Sequence, residues 1–266
     1  MTNRIENKFK ELRARGKKAF ITFITAGDPS LKITEALAVA FEQAGVDILE
    51  LGVPFSDPLA DGPTIQAASQ RALHKKVTLE KILDTVKKIR SQTHLPIALM
   101  TYYNPVLHFG EERFIRQARE AGVDGVIVPD LPPEEAGNWI KIARRNNLST
   151  IFFLSPTTTS KRLKRIVQVS SGFIYYVSIA GVTGARKDLP VEIRDKIRLA
   201  KRHTKTPICV GFGVSTAAQV KSLAQMADGV IVGSAIVNEI QKNSGKKDLV
   251  KNVARFVSRL SGTLSK

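Results

Sequence analysis

Eight short apolar runs punctuate the chain, and most are followed by stretches whose apolar residues recur at helical spacing. The runs cover residues 20–25, 47–52, 96–101, 124–129, 149–154, 173–178, 207–211 and 228–233. They are mostly continuous rather than alternating, as strands buried on both faces should be. Strands alternating with helices predict right-handed βαβ units and a parallel sheet. Eight such units in 266 residues predict a closed (β/α)8 barrel, α/β in class, with a doubly wound open sheet as the alternative. An internal repeat favours the barrel: Ala44-Gly45-Val46-Asp47, Ala121-Gly122-Val123-Asp124 and Ala227-Asp228-Gly229-Val230 each end a helix and open an even-numbered strand.

Both ends predict helices. Ile5, Phe9 and Leu12 form a stripe over residues 4–15, an extra N-terminal helix placed to plug the barrel bottom. Leu249, Val253, Phe256, Val257 and Leu260 mark a final packing helix. No linker or low-complexity stretch interrupts the pattern, so residues 1–266 read as one domain. No apolar run reaches the length of a membrane span, and the N-terminus lacks a signal-peptide core. A cytoplasmic location with no membrane partner is expected.

Composition excludes some chemistry. The single cysteine, Cys209, rules out a disulfide scaffold and a Cys-rich metal site. The four histidines are scattered, so a metal centre is not expected. Lysine is absent from all eight runs, which disfavours a Schiff-base aldolase. The net charge is +17, with seven basic residues in 1–18 and seven in 239–266. A basic module for nucleic acid is one reading of that charge. No aromatics interleave the basic runs, so a solvated surface is the plainer one and no nucleic-acid partner is expected. Attraction of an anionic substrate is a further use for the charge.

Catalytic groups in such a barrel sit at the C-terminal ends of strands. Glu50 is the only carboxylate inside a run, and its position between Leu49 and Leu51 points it into the barrel. Desolvation there raises a carboxyl's pKa and suits it to general-acid work; a buried structural partner is the alternative. The loop from Val53 to Thr64 carries Asp57 and Asp61, candidates for a second acid/base role or for turn and capping duty. Glycines mark the opposite side. Gly181-Val182-Thr183-Gly184, Gly211-Phe212-Gly213 and Gly233-Ser234 follow successive strands, and backbone N–H groups at such places cradle phosphate. Together these residues point to proton-transfer chemistry on a small phosphate ester.

The segment from Glu50 to Gln66 resembles the long signature of the tryptophan synthase α-subunit family. Thr25-Ala26-Gly27-Asp28-Pro29, Met100 to Pro105, Val128 to Pro132 and the glycine loops resemble that family too, over about Phe20 to Val237. The resemblance implies retro-aldol cleavage of indole-3-glycerol phosphate to indole and glyceraldehyde 3-phosphate, in tryptophan biosynthesis. It implies Glu50 as general acid and Asp61 as the partner of the indole N–H. It implies Phe23 and Tyr102 at the indole pocket, and Tyr175 near the acid. Thr183 would close against Asp61. Gly184, Gly213, Gly233 and Ser234 would hold phosphate. It also implies a β subunit carrying pyridoxal phosphate in an α2β2 heterotetramer, contacted near Asp57, Asn104 and Pro132, with no cofactor in this chain. A stand-alone lyase of the same fold is the enzyme alternative.

Overall fold

The structure, a computed structural model, describes residues 3–177, 191–211 and 213–264. A short helix, α1 (Arg4–Ala14), precedes the strands. The first half then runs β1 (Ala19–Thr25), α2 (Leu31–Gln43), β2 (Ile48–Gly52), α3 (Pro63–His74), α4 (Leu79–Arg90), β3 (Ile97–Met100), α5 (Tyr103–Phe109), α6 (Glu111–Ala121) and β4 (Gly125–Ile127). The second half runs α7 (Gly137–Arg145), β5 (Ser149–Ile151), β6 (Phe153–Leu154), α8 (Ser160–Val169), β7 (Ile174–Val177), α9 (Val191–His203), β8 (Ile208–Gly211), α10 (Ala217–Ala224), β9 (Gly229–Val232), α11 (Ser234–Asn243) and α12 (Leu249–Ser261).

All pairings are parallel, and the order β5-β4-β3-β2-β1-β9-β8-β7-β6 closes a barrel. The fifth predicted strand is two pieces on either side of Phe152. β5 pairs with β4 and β6 pairs with β7, so this one run joins the two edges. Nine strand segments therefore make the eight staves that the apolar runs predict. The long connection after β2 houses two helices, α3 and α4, and the stretch after β3 forms a short helix, α5, that carries His108.

Burial divides by strand parity. Leu49 and Leu51 pack outward with the helices in the larger apolar cluster. Ile21, Ile48, Ala98, Ile127, Ile151 and Ile231 point inward and meet Ile5, Phe9 and Leu12 of α1. The helix thus plugs the barrel's N-terminal end, as its stripe predicts, and leaves the other end for chemistry.

The repeated Asp has a physical cause. Asp47 accepts the Phe20 N–H at 2.9 Å, Asp124 the Ile97 N–H at 3.0 Å, and Asp228 the Ile208 N–H at 3.0 Å. Each even stave thereby satisfies an amide at the start of the odd stave before it and pins the register. In the remaining pair Ser171 Oγ does the same for the Thr150 N–H at 2.9 Å. Asp124 is fully buried and paired with Arg4 at 2.9 Å and Arg90 at 3.1 Å, so α1 and α4 are anchored through one carboxylate.

Candidate active site

Glu50 sits in β2 with Phe23 of β1 and Ala98 of β3 as its register neighbours. It is 0% exposed, and neither carboxylate oxygen has a hydrogen-bond partner among the described residues. Those residues therefore do not supply the buried partner that is the alternative reading. Desolvation alone pushes its pKa well above the usual carboxylate range. Burial of this kind favours the protonated form of the carboxyl, at a cost in folding stability that purely structural residues seldom carry.

Tyr175 of β7 faces the same interior. Burial raises its hydroxyl's pKa first, and the charges of Glu50, Cys209 and Asp61 push it further. The Tyr175 hydroxyl lies close over Gly211, where an added Cβ would come within 2.8 Å of it. Phe153 packs on the Tyr175 ring at 4.9 Å between centroids.

Asp61 comes from the loop after β2. It is half-buried, and it is not the cap of α3; that position belongs to Gly62. The Tyr102 hydroxyl donates to Asp61 Oδ2 at 3.1 Å and accepts the Ala60 N–H at 2.9 Å. Burial raises the Asp61 pKa, and the Tyr102 hydrogen bond opposes that rise. The aromatic wall beside Glu50 is Phe23, its register neighbour in β1, grouped with Ile65, Ala68, Val237 and Met100. Gly52 makes room for it, since a Cβ there would stand 2.5 Å from Phe23 Cζ.

The glycine side is built on backbone. α11 opens directly after β9, with Gly233 at its cap and no side chain satisfying the first-turn amides. Gly213 takes a positive φ of 51° after β8, a conformation that favours glycine. The described loops at this end, 26–30, 53–62, 101–102, 128–136, 155–159, 213–216 and 233, contain no Lys or Arg. Backbone N–H groups and the α11 dipole are therefore what they offer an anion. The positive charge gathers elsewhere, in last helical turns such as Lys87, Lys88 and Arg90 of α4 or Lys201 and Arg202 of α9. That placement complements helix dipoles. Thr183 and Gly184 lie outside the described residues.

Three neighbouring loops form the rim. Phe55 stacks on Tyr102 at 5.2 Å, and the Tyr103 N–H donates to Asp130 at 2.9 Å. Asp57 is exposed on the first of these loops, Asn104 is exposed in the first turn of α5, and Pro132 is partly exposed on the loop after β4. Leu59 is 94% exposed and Leu107 58%, the two large apolar side chains that stand out on this surface.

Sequence reasoning passed over Met100, Phe153 and Thr25. Met100 is in register with Gly52, and Phe153 with Tyr175, so strand parity carried the signal once the register was known. Thr25 Oγ1 is buried without a partner among the described residues, and its type gives no warning of that. Among the described residues no group of three His, Cys, Asp or Glu is placed to hold a metal ion, and no helix is long and apolar enough to cross a membrane.

Comparison with known proteins follows the same geometry. The family model described as tryptophan synthase alpha chain matches residues 9–264. The tryptophan synthase alpha chain of Geotalea daltonii is 50% identical, covering 98% of this chain and 99% of its own. That of a Thermoanaerobacter species is 44% identical, covering 98% and 100%. Among solved structures, the tryptophan synthase subunit alpha of Legionella pneumophila superposes with a TM-score of 0.93 at 38% identity, covering 100% of this chain and 99% of that one. A chain of the Mycobacterium tuberculosis tryptophan synthase gives 0.91 at 35% identity, covering 99% of each.

Proposed function

The chain belongs to the tryptophan synthase alpha chain family, and on that premise we propose that Glu50 and Asp61 carry its lyase reaction. The reaction cleaves indole-3-glycerol phosphate to indole and glyceraldehyde 3-phosphate. The observation that supports this assignment best is Glu50: a fully buried carboxyl, without hydrogen-bond partners among the described residues, on the inner face of the barrel.

The proton moves in a closed cycle. Protonated Glu50 donates to the indole ring carbon that bears the glycerol chain, giving an indolenine cation and a Glu50 carboxylate. Asp61, ionised, accepts a hydrogen bond from the indole N–H and stabilises the positive charge. The Glu50 carboxylate then takes the proton of the adjacent glycerol hydroxyl. The carbon–carbon bond breaks, its electron pair restores the aromatic ring, and the hydroxyl carbon becomes the aldehyde. Glu50 ends protonated, as it began, and no metal or Schiff base enters.

The other residues bind and orient. Phe23 and Tyr102 line the indole slot, and Tyr175 stands beside the acid. Gly213, Gly233 and Ser234, with Gly184, hold the phosphate through backbone N–H groups and the helix dipole. Thr183 closes against Asp61 over bound substrate. The whole chain acts as one barrel domain in the cytoplasm.

The rim around Asp57, Asn104 and Pro132 receives the β subunit, which carries the pyridoxal phosphate and takes over indole in an α2β2 complex. Exposed Leu59 and Leu107 are the apolar anchors that such an interface needs at its centre. Indole release from indole-3-glycerol phosphate, measured with and without a β subunit, tests this. A slow rate that rises sharply with β supports it, and a fast rate indifferent to β makes the chain a stand-alone lyase.

A further inference from the structure

Far from the mouth of the barrel, four cations stand in file. Lys247 lies in the turn that enters α12, and Lys251, Arg255 and Arg259 follow at four-residue steps. All four are exposed, and none makes an ion pair among the described residues. They border a groove of about 680 Å3 between α2 and α12, which Ala44, Val250 and Ala254 also line. Asp248 is the one acid of the lining. Asn252 accepts a hydrogen bond from Arg255 at 3.4 Å, and the Arg259 guanidinium lies 5.7 Å from the centre of the Phe256 ring.

Nothing in the folding of α12 calls for this file. The helix is held by Leu249, Val253, Val257 and Leu260, which are buried. Like charges at four-residue spacing repel along a helix. Lys247 and Lys251 flank the N-terminal end, where the dipole favours anions, and the first turn holds no acidic residue. Dipole compensation accounts for Arg259 at the other end and for the basic last turns elsewhere, but not for these two lysines.

The spacing suits an extended chain. Four helical residues rise about 6 Å. Alternate side chains on one face of a strand repeat at about 6.6 Å. Between the cations the groove is lined by Ala40, Ala44, Val250 and Ala254 with the polar Gln43 and Ser258, and no aromatic ring belongs to this lining. We propose that the α2–α12 groove docks an extended acidic segment of another protein, with carboxylates at alternate positions meeting Lys247, Lys251, Arg255 and Arg259.

The test uses the full chain and two fluorescent probes: a peptide of alternating Glu and Ala, and an oligothymidylate of equal charge. Two quadruple variants each remove four charges. One is K247Q/K251Q/R255Q/R259Q, and the other is K161Q/R162Q/K164Q/R165Q on the exposed side of α8. The proposal predicts saturable, salt-sensitive peptide binding that weakens at least about tenfold in the first variant and stays near wild type in the second. Lyase activity should not change in either. If the first variant fails to fold, K251Q/R255Q is read in its place and should lose about half of the effect on a logarithmic scale. Equal losses in both variants, tighter binding of the oligothymidylate, or no saturable binding would overturn the proposal.

Discussion

The Tyr102 hydroxyl bridges two neighbours in the catalytic loop, donating to Asp61 Oδ2 at 3.1 Å while accepting the Ala60 N–H at 2.9 Å. One phenol from the end of β3 thereby sets where the loop after β2 holds its carboxylate. The bond also favours the ionised form of Asp61 against the desolvation that raises its pKa. In the proposed reaction Asp61 must be charged to meet the indole cation, so this contact tunes the group as well as placing it.

Tyr102→Phe should therefore keep the fold and shift the pH profile. In the proposed reaction Asp61 must be ionised and Glu50 protonated, so the rate rises with pH through the first pKa and falls through the second. Without the Tyr102 donor the Asp61 pKa rises, and the acidic limb of kcat/KM moves to higher pH while the basic limb stays. A loss of about tenfold at the optimum is expected from one hydrogen bond to a charged group. An unmoved acidic limb would show that the bond only packs the loop.

Glu50 gives a stability prediction as well as a kinetic one. Its folded-state pKa is raised by burial, so the wild type is favoured while the carboxyl is protonated and loses stability as pH climbs from the unfolded pKa toward the folded one. Glu50→Gln removes the titrating group. Its Tm relative to wild type should rise with increasing pH above about 4.3 and level off beyond the folded pKa. Thermal melts across the pH range check this; a difference independent of pH would mean that Glu50 is not desolvated.

Gly52→Ala probes the packing behind the aromatic wall. The new Cβ would stand 2.5 Å from Phe23 Cζ and 2.7 Å from Cε2, so the ring must shift. Overpacking of this kind costs about 1–3 kcal/mol. Because Phe23 lies beside Glu50 in the register, KM for indole-3-glycerol phosphate should rise more than the melting temperature alone would suggest. An unchanged KM would remove Phe23 from the pocket.

Asp124→Ala should act on the opposite end. It strips a fully buried carboxylate from Arg4, Arg90 and the Ile97 amide. Breaking such a buried pair costs about 3–5 kcal/mol. The expected result is a large loss of Tm with kcat nearly unchanged in the protein that remains folded, read from calorimetry and steady-state rates.

Those two ends of the barrel were not equally legible in the sequence. Glu50 could be found because parity turns a single carboxylate in an apolar run toward the barrel interior, and the structure buries it there. The N-terminal plug was visible because Ile5, Phe9 and Leu12 recur at helical spacing and form one apolar stripe. Asp61 was harder: in a loop with two aspartates, local chemistry does not choose between them, and Tyr102, whose hydroxyl decides, is forty-one residues away. The break at Phe152 was invisible because closure of the barrel is a long-range condition that no five-residue window contains. Likewise Pro105 in the run after β3 reads as a loop, yet a first-turn proline is compatible with the helix that forms there. The repeat of Ala-Gly-Val-Asp was legible as a pattern, but its work, pinning the register of the neighbouring strand, needed the pairings.

The most direct test of the account is indole formation from indole-3-glycerol phosphate by wild type and Glu50→Gln, each saturated with a β subunit and each confirmed folded. The proposed proton cycle begins and ends on Glu50, so the variant should bind substrate yet release indole at a rate lower by about 100-fold or more. Release at the wild-type rate would contradict the assignment of Glu50 and return the search to the other groups at the barrel mouth.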